Sequence, residues 1–206
     1  LNRPAWFPIT TNEENWRRSS MMSITHYDAA LSYDDFLTRH GTPQDRTRWD
    51  VVKQRVHLTE EQIRLLKTFN RTMKVMVLAG AWCGDCANNV PIFECFAANA
   101  PGIQLCYLDR DAYPDVQQEL TINGGNRVPV VVFFSEDGHE VGRYGERTLS
   151  TYRRLVASEV RELRAGASAV SAEQQLADVV ADWLREFERI QYILRLSPRL
   201  RRLHGD

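Results

Sequence analysis

From Met73 to Ala79 every position except Lys74 is apolar, and Val75 and Val77 are β-branched. A nearly continuous apolar run of this kind suits a strand buried on both faces. Such a strand needs layers over it, and the segments that follow supply helices and further strands in turn. Residues 84–98 place Val90, Phe93 and Ala97 at helical spacing. Ile103 to Leu108 reads as a second strand, Asp115 to Leu120 as a short helix, and Val128 to Phe134 as a third strand opened by Val128-Pro129. Asp137-Gly138 is a hairpin signal, so residues 139–144 are expected to return antiparallel to the third strand. Leu149, Tyr152, Leu155, Val156, Val160 and Leu163 then form one apolar helical stripe that stops near Gly166. The order strand, helix, strand, helix, hairpin, helix makes an α/β sandwich around a mixed sheet.

The chain extends beyond this core on both sides. Residues 1–22 carry Pro4, Trp6, Phe7, Pro8 and Trp16 without periodicity and read as an irregular arm. A helix is expected behind Ser32, with Asp34 and Asp35 in its first turn, Phe36 and Leu37 on one face, and Gly41 closing it. Thr59-Glu60-Glu61-Gln62 has the form of a capping box and leads into Ile63, Leu65, Leu66 and Phe69. These two helices are expected ahead of the main sheet. After a small-residue linker, Ala165 to Ala169, a second box appears at Ser171-Ala172-Glu173-Gln174. The helix behind it sets Leu176, Val180, Trp183, Leu184, Phe187, Ile190 and Leu194 on one broad face. That face either docks on the chain's own fold or forms a homodimer seam or partner surface. The expected division is an N-terminal arm and helical extension over 1–58, a central domain over 59–166, and a C-terminal helical extension over 167–206.

Chemistry concentrates in Trp82-Cys83-Gly84-Asp85-Cys86, between the buried strand and the next helix. A C-x-x-C segment serves zinc ligation as well as redox chemistry, but zinc needs two further ligands, usually a second close pair. Cys95 and Cys106 stand eleven residues apart and the five histidines are scattered, so no metal site is expected. Cys83 falls at the helix start, where unpaired backbone N–H groups and the positive end of the dipole stabilise a thiolate. A thiolate can form a mixed disulfide with a partner, which Cys86, one turn on, can resolve. The two-residue spacing lets the sulfurs bridge without moving the backbone. Trp82 is placed to shield one flank. Cys95, roughly half a turn round the helix from Cys86, and Cys106, in a strand, read as small buried apolar residues.

With 206 residues, 43% hydrophobic and 26% charged, the chain can bury one ordinary core plus extensions. Its formal net charge of −1 carries no general attraction to nucleic acid or to an anionic membrane. No apolar run approaches the ~20 residues of a spanning helix. Arg17-Arg18 is followed by polar and acidic residues rather than the apolar stretch of a signal peptide, and four cysteines do not make a disulfide-stapled scaffold. A cytoplasmic setting is expected.

These residues resemble the thioredoxin superfamily over about residues 60–165. Its signature, Trp-Cys-Gly-x-Cys after a hydrophobic strand, is carried by Trp82 to Cys86; Pro91 stands where the family kinks its long helix, Val128-Pro129 where it has a cis-proline, and Gly145 at the end of the next strand. The stretch Asn123 to Pro129, with Gly145-Glu146-Arg147, is most similar to a bacterial subgroup of uncharacterised thioredoxin-like proteins. The resemblance implies a thioredoxin fold with extra helices at both ends, Cys83 as nucleophile and Cys86 as resolving thiol. It also implies that Pro129 presents the backbone of Val128 to an extended substrate peptide beside Trp82. The partners it implies are a disulfide-containing protein or small thiol substrate and a recycling reductase. No flavin or nicotinamide fingerprint is evident, so the cysteine pair would be the sole redox centre, fed by an external electron donor. The competing reading is a thioredoxin-fold scaffold that binds a partner through Trp82, Val128 and Pro129 or through the last helix. Two departures bear on transfer. The family's buried aspartate, six residues before the first cysteine, is replaced by Val77, and Asp85 stands inside the motif, where its charge is expected to oppose the Cys83 thiolate and its carboxylate to serve Cys86 as proton carrier.

Overall fold

β1 (Met73–Ala79) lies inside a four-stranded sheet of order β2-β1-β3-β4, with β2 at Ile103–Asp109, β3 at Val130–Ser135 and β4 at Glu140–Gly145. The computed structural model describes residues 26–159 and 170–206. β1 pairs parallel with β2 and antiparallel with β3, and β3 pairs antiparallel with β4, which is the expected mixed sheet and hairpin. β1 has a paired neighbour on each edge, and every β1 side chain except Lys74 is buried. The third strand opens at Val130 rather than Val128, because Pro129 has no N–H to give the ladder.

Among the described residues three α-helices precede the sheet, where the sequence marks two. α1 (Tyr33–His40) is capped by Ser32 and closed by Gly41, and α3 (Glu60–Lys67) follows the reciprocal Thr59–Gln62 box. Between them α2 (Pro43–Arg55) starts on a Thr42–Asp45 box with Pro43 in its first turn. Its residues have no apolar stripe, and Trp49 is its only buried side chain, so periodicity gave it no signal. α2 packs along α4 (Gly84–Asn99), the helix that carries the cysteines, while α1 packs on β2. Leu31 exchanges two backbone hydrogen bonds with Tyr107, covering part of the β2 edge. Tyr33, Phe36, Trp49 and Tyr107 join these elements in an aromatic cluster.

After β2 come α5 (Pro114–Glu119), the β3–β4 hairpin, α6 (Leu149–Glu159), α7 (Ala172–Leu196) and α8 (Pro198–His204). The broad face of α7 docks on the chain's own core. Phe187 meets Phe93, Phe96 and Phe133 at ring distances of 5.4, 5.2 and 5.1 Å, and Trp183 meets Phe93 and Tyr144 at 4.6 and 4.9 Å. Burying a side chain such as Phe187 contributes about 1.5–3 kcal/mol. One hydrophobic cluster runs from Tyr33 to Leu200, so α7 shares the core of the sheet. Only half of the second capping box forms: Ser171 accepts from the Gln174 N–H, but the Gln174 amide donates to Asp178. With α7 beside β4, α6 packs on α7, and its Leu149, Tyr152, Leu155 and Val156 stay exposed. Val160 and Leu163 of that stripe, the Ala165 to Ala169 linker and the arm over 1–22 lie outside the described residues.

Candidate active site

The chain leaves β1 through Gly80, whose carbonyl accepts the Cys83 N–H at 3.0 Å. Cys83 is the N-cap of α4, in extended backbone, and its sulfur accepts the Cys86 N–H at 3.5 Å. Cys83 is part-exposed, whereas Cys86 is wholly buried and its sulfur accepts the Gly80 N–H at 3.4 Å. Opposite the pair, the Val128-Pro129 bond is cis, and the Cys83 thiol lies 3.6 Å from the Val128 carbonyl oxygen, its acceptor. Gly145, paired with Val130, passes so close that a Cβ there would sit 2.3 Å from the Pro129 carbonyl oxygen. Only glycine fits that crossing.

The two thiols differ in acidity for reasons visible in these contacts. The Cys83 thiol is lowered to about 6, chiefly by the hydrogen bond from the Cys86 thiol; burial works against it, while the backbone N–H groups of Cys86 and Asp85 help. Burial pushes the Cys86 thiol well up, and the hydrogen bond and charge of Cys83 push it further. Asp85 does oppose the Cys83 thiolate, as its place in the motif implies, but as the smallest of these influences, so the net shift is downward. Both Asp85 oxygens are engaged by Arg147, at 2.8 Å from Nη2 and 3.2 Å from Nε. Arg147 also approaches the buried Glu146, which takes Arg127 at 2.9 Å and the Tyr152 hydroxyl at 3.0 Å. Val77 is buried beneath the motif and supplies no acid.

Segments outside the signature hold its backbone from two sides. From α2, the Trp49 indole N–H donates to the Ala81 carbonyl at 2.9 Å and Arg48 to the Trp82 carbonyl at 2.9 Å. From α7, the Trp183 indole N–H donates to Asn89 Oδ1 at 2.7 Å, and Asn89 Nδ2 donates to the Asp85 carbonyl at 2.7 Å. Trp82 itself is 47% exposed, lies over Gly80, donates to Asp111 at 3.3 Å and carries the Arg110 guanidinium 4.6 Å above its ring.

A family model described as thioredoxin matches residues 30–159 of this chain. The chain belongs to the thioredoxin family. Thioredoxins of Chlamydia muridarum and Chlamydia trachomatis are 36% and 31% identical to it over 62 residues, which is 30% of this chain. The chain spans 57% of the length of these curated relatives. Among solved structures, a protein of unknown function from Pseudomonas aeruginosa matches with a TM-score of 0.59 at 19% identity, covering 78% of this chain and 95% of that one. An HIV epitope-scaffold matches with a TM-score of 0.58 at 21% identity, covering 79% and 96%. At these identities the likeness is one of fold.

The thioredoxin signature thus stands with Trp82, Cys83, Asp85, Cys86, Val128 and Pro129 gathered at one end of the sheet. Sequence reasoning missed Arg48, Trp49 and Asn89, and quoted Arg147 only as part of a subgroup pattern. Trp49 did carry a signal, as a lone large ring with an N–H donor in an otherwise polar helix.

Proposed function

We propose that this member of the thioredoxin family is a dithiol–disulfide oxidoreductase that reduces disulfides in a reducing, cytoplasmic compartment. The observation that carries the reading is the asymmetry of the pair: one part-exposed thiol with a pKa of about 6 beside the Val128 carbonyl, and one buried thiol held protonated. At neutral pH the Cys83 thiolate attacks one sulfur of a substrate disulfide, and the other leaves as a thiolate that takes up a proton. Cys86 then loses its proton and attacks Cys83 Sγ, which releases the second substrate thiol and leaves a Cys83–Cys86 disulfide. Two electrons and two protons pass to the substrate, and an external dithiol or a recycling reductase restores the pair. Catalysis is by Cys83 and Cys86; exposed Trp82 and the backbone of Val128 and Pro129, whose side chains are buried, form the substrate-facing surface.

The test is insulin reduction with Cys83→Ser as control, together with equilibration of the pair in dithiothreitol buffers. Activity lost in Cys83→Ser and a reversible two-electron transition near about −270 mV support a reductase. A protein with no reversible transition, whose partner binding survives Cys83→Ser, is a scaffold instead.

A further inference from the structure

Dithiol chemistry leaves the ground beyond Trp82 without a role. There Arg110, which stacks on Trp82 and donates to the Asn126 carbonyl at 3.1 Å, borders a cavity of about 530 Å³. Its other walls are Asp111, Pro114, Gln117, Gln118 and Asn126. Arg110 and Asp111 neutralise each other at 3.0 Å, so the cavity is polar without favouring either sign of charge. Gln117 is only 4% exposed, yet among the described residues neither its Oε1 nor its Nε2 has a hydrogen-bond partner. Buried amides are almost always paired, and here a donor and an acceptor stand unpaired side by side.

An adjacent donor and acceptor match a peptide group or a carboxamide, which carry the complement. The cavity is also in the right place to meet one. Asn126 lies two residues before Val128, whose carbonyl faces Cys83. A strand laid along Val128 advances about 3.3 Å per residue, so positions two or three from the attacked cysteine arrive here. We propose that this cavity is a subsite for the uncharged polar flank of an extended peptide, with Gln117 pairing to a carboxamide or peptide group. The substrate is then a protein disulfide in a polar segment rather than a small-molecule disulfide. This inference rests on the redox reading above.

The test uses the pre-reduced full chain in single turnover against two disulfide-linked peptides. They differ only at positions two and three from the cysteine, which are Asn and Gln in one and Leu in the other; a small aromatic disulfide reports redox competence. The wild type should reduce the amide-flanked peptide roughly threefold to tenfold faster, the worth of one neutral hydrogen-bonded pair. Gln117→Met should bring the ratio between the peptides to near one. A wild type that reduces both peptides alike overturns the subsite, and that measurement needs no variant. A Gln117→Met protein that slows both peptides equally and keeps the ratio also overturns it, since Gln117 then only supports α5. A wild type inert toward all three disulfides overturns the redox reading and the subsite with it.

Discussion

Replacing Trp183 by phenylalanine removes one N–H and part of a ring inside the core. Trp183 is 0% exposed and Asn89 4%. The indole N–H reaches Asn89 Oδ1 at 2.7 Å. Without it that oxygen is buried and unpaired, at a cost of about 1–3 kcal/mol. The smaller ring also leaves a gap between Phe93 and Tyr144, now 4.6 and 4.9 Å from the Trp183 ring, which costs about 1 kcal/mol more. The total of about 2–4 kcal/mol is a large share of the ~5–15 kcal/mol that holds a domain. Thermal unfolding of the reduced protein, followed by circular dichroism, should show Tm falling by roughly 5–15 °C. The hydrogen bond is isolated by a cycle with Asn89→Leu. When both polar partners become apolar, no orphan remains, so the double variant should lose clearly less than the two singles together. Trp183→Phe within about 0.5 kcal/mol of wild type, or strict additivity to about that margin, would refute the role assigned to this bond.

Three further outcomes follow from the site. The rate of Cys83 alkylation should rise with pH through a midpoint near 6, move to lower pH in Asp85→Asn, and move to higher pH in Arg147→Gln, where Asp85 loses its counter-charge. Because the folded value lies below that of a free thiol, the stability it lends the reduced protein is complete above the free-thiol pKa and is lost as pH falls through about 6; denaturant titrations across that window check the sign. Gly145→Ala should cost about 1–3 kcal/mol or more, because its Cβ would meet the Pro129 carbonyl, and should slow disulfide reduction by displacing the loop that faces Cys83; denaturant midpoints and insulin turnover measure the two effects.

What the sequence disclosed and what it withheld divide along a physical line. β1, the hairpin at Asp137-Gly138, the caps at Ser32 and Thr59 and the face of α7 were legible because each is a local rule, written in neighbouring residues. The cysteine pair and the cis Val128-Pro129 bond were legible because a short motif carries them. α2 lacked the periodicity that marks a helix, and its cap, Thr42 with Asp45, uses aspartate where the capping-box pattern has glutamate or glutamine. Arg147 reaches Asp85 across 62 positions, and Trp183 reaches Asn89 across 94. Pairings of that kind exist only once the sheet has formed. Asp85 shows the consequence most plainly: its formal charge could be read from the motif, but the arginine facing it could not.

The docking of Phe187 also sets an order of events on the ribosome. Phe93, Phe96 and Phe133 are all translated before the ring that covers them, and about ninety residues separate Phe96 from Phe187. At ~5–20 residues per second that interval lasts roughly 5–20 s. Throughout it the nascent chain already holds Cys83 and Cys86, while the apolar underside of their helix has no lid. The cysteine motif is therefore finished early and housed late, its helix waiting on the Phe187 face of α7 to close over it.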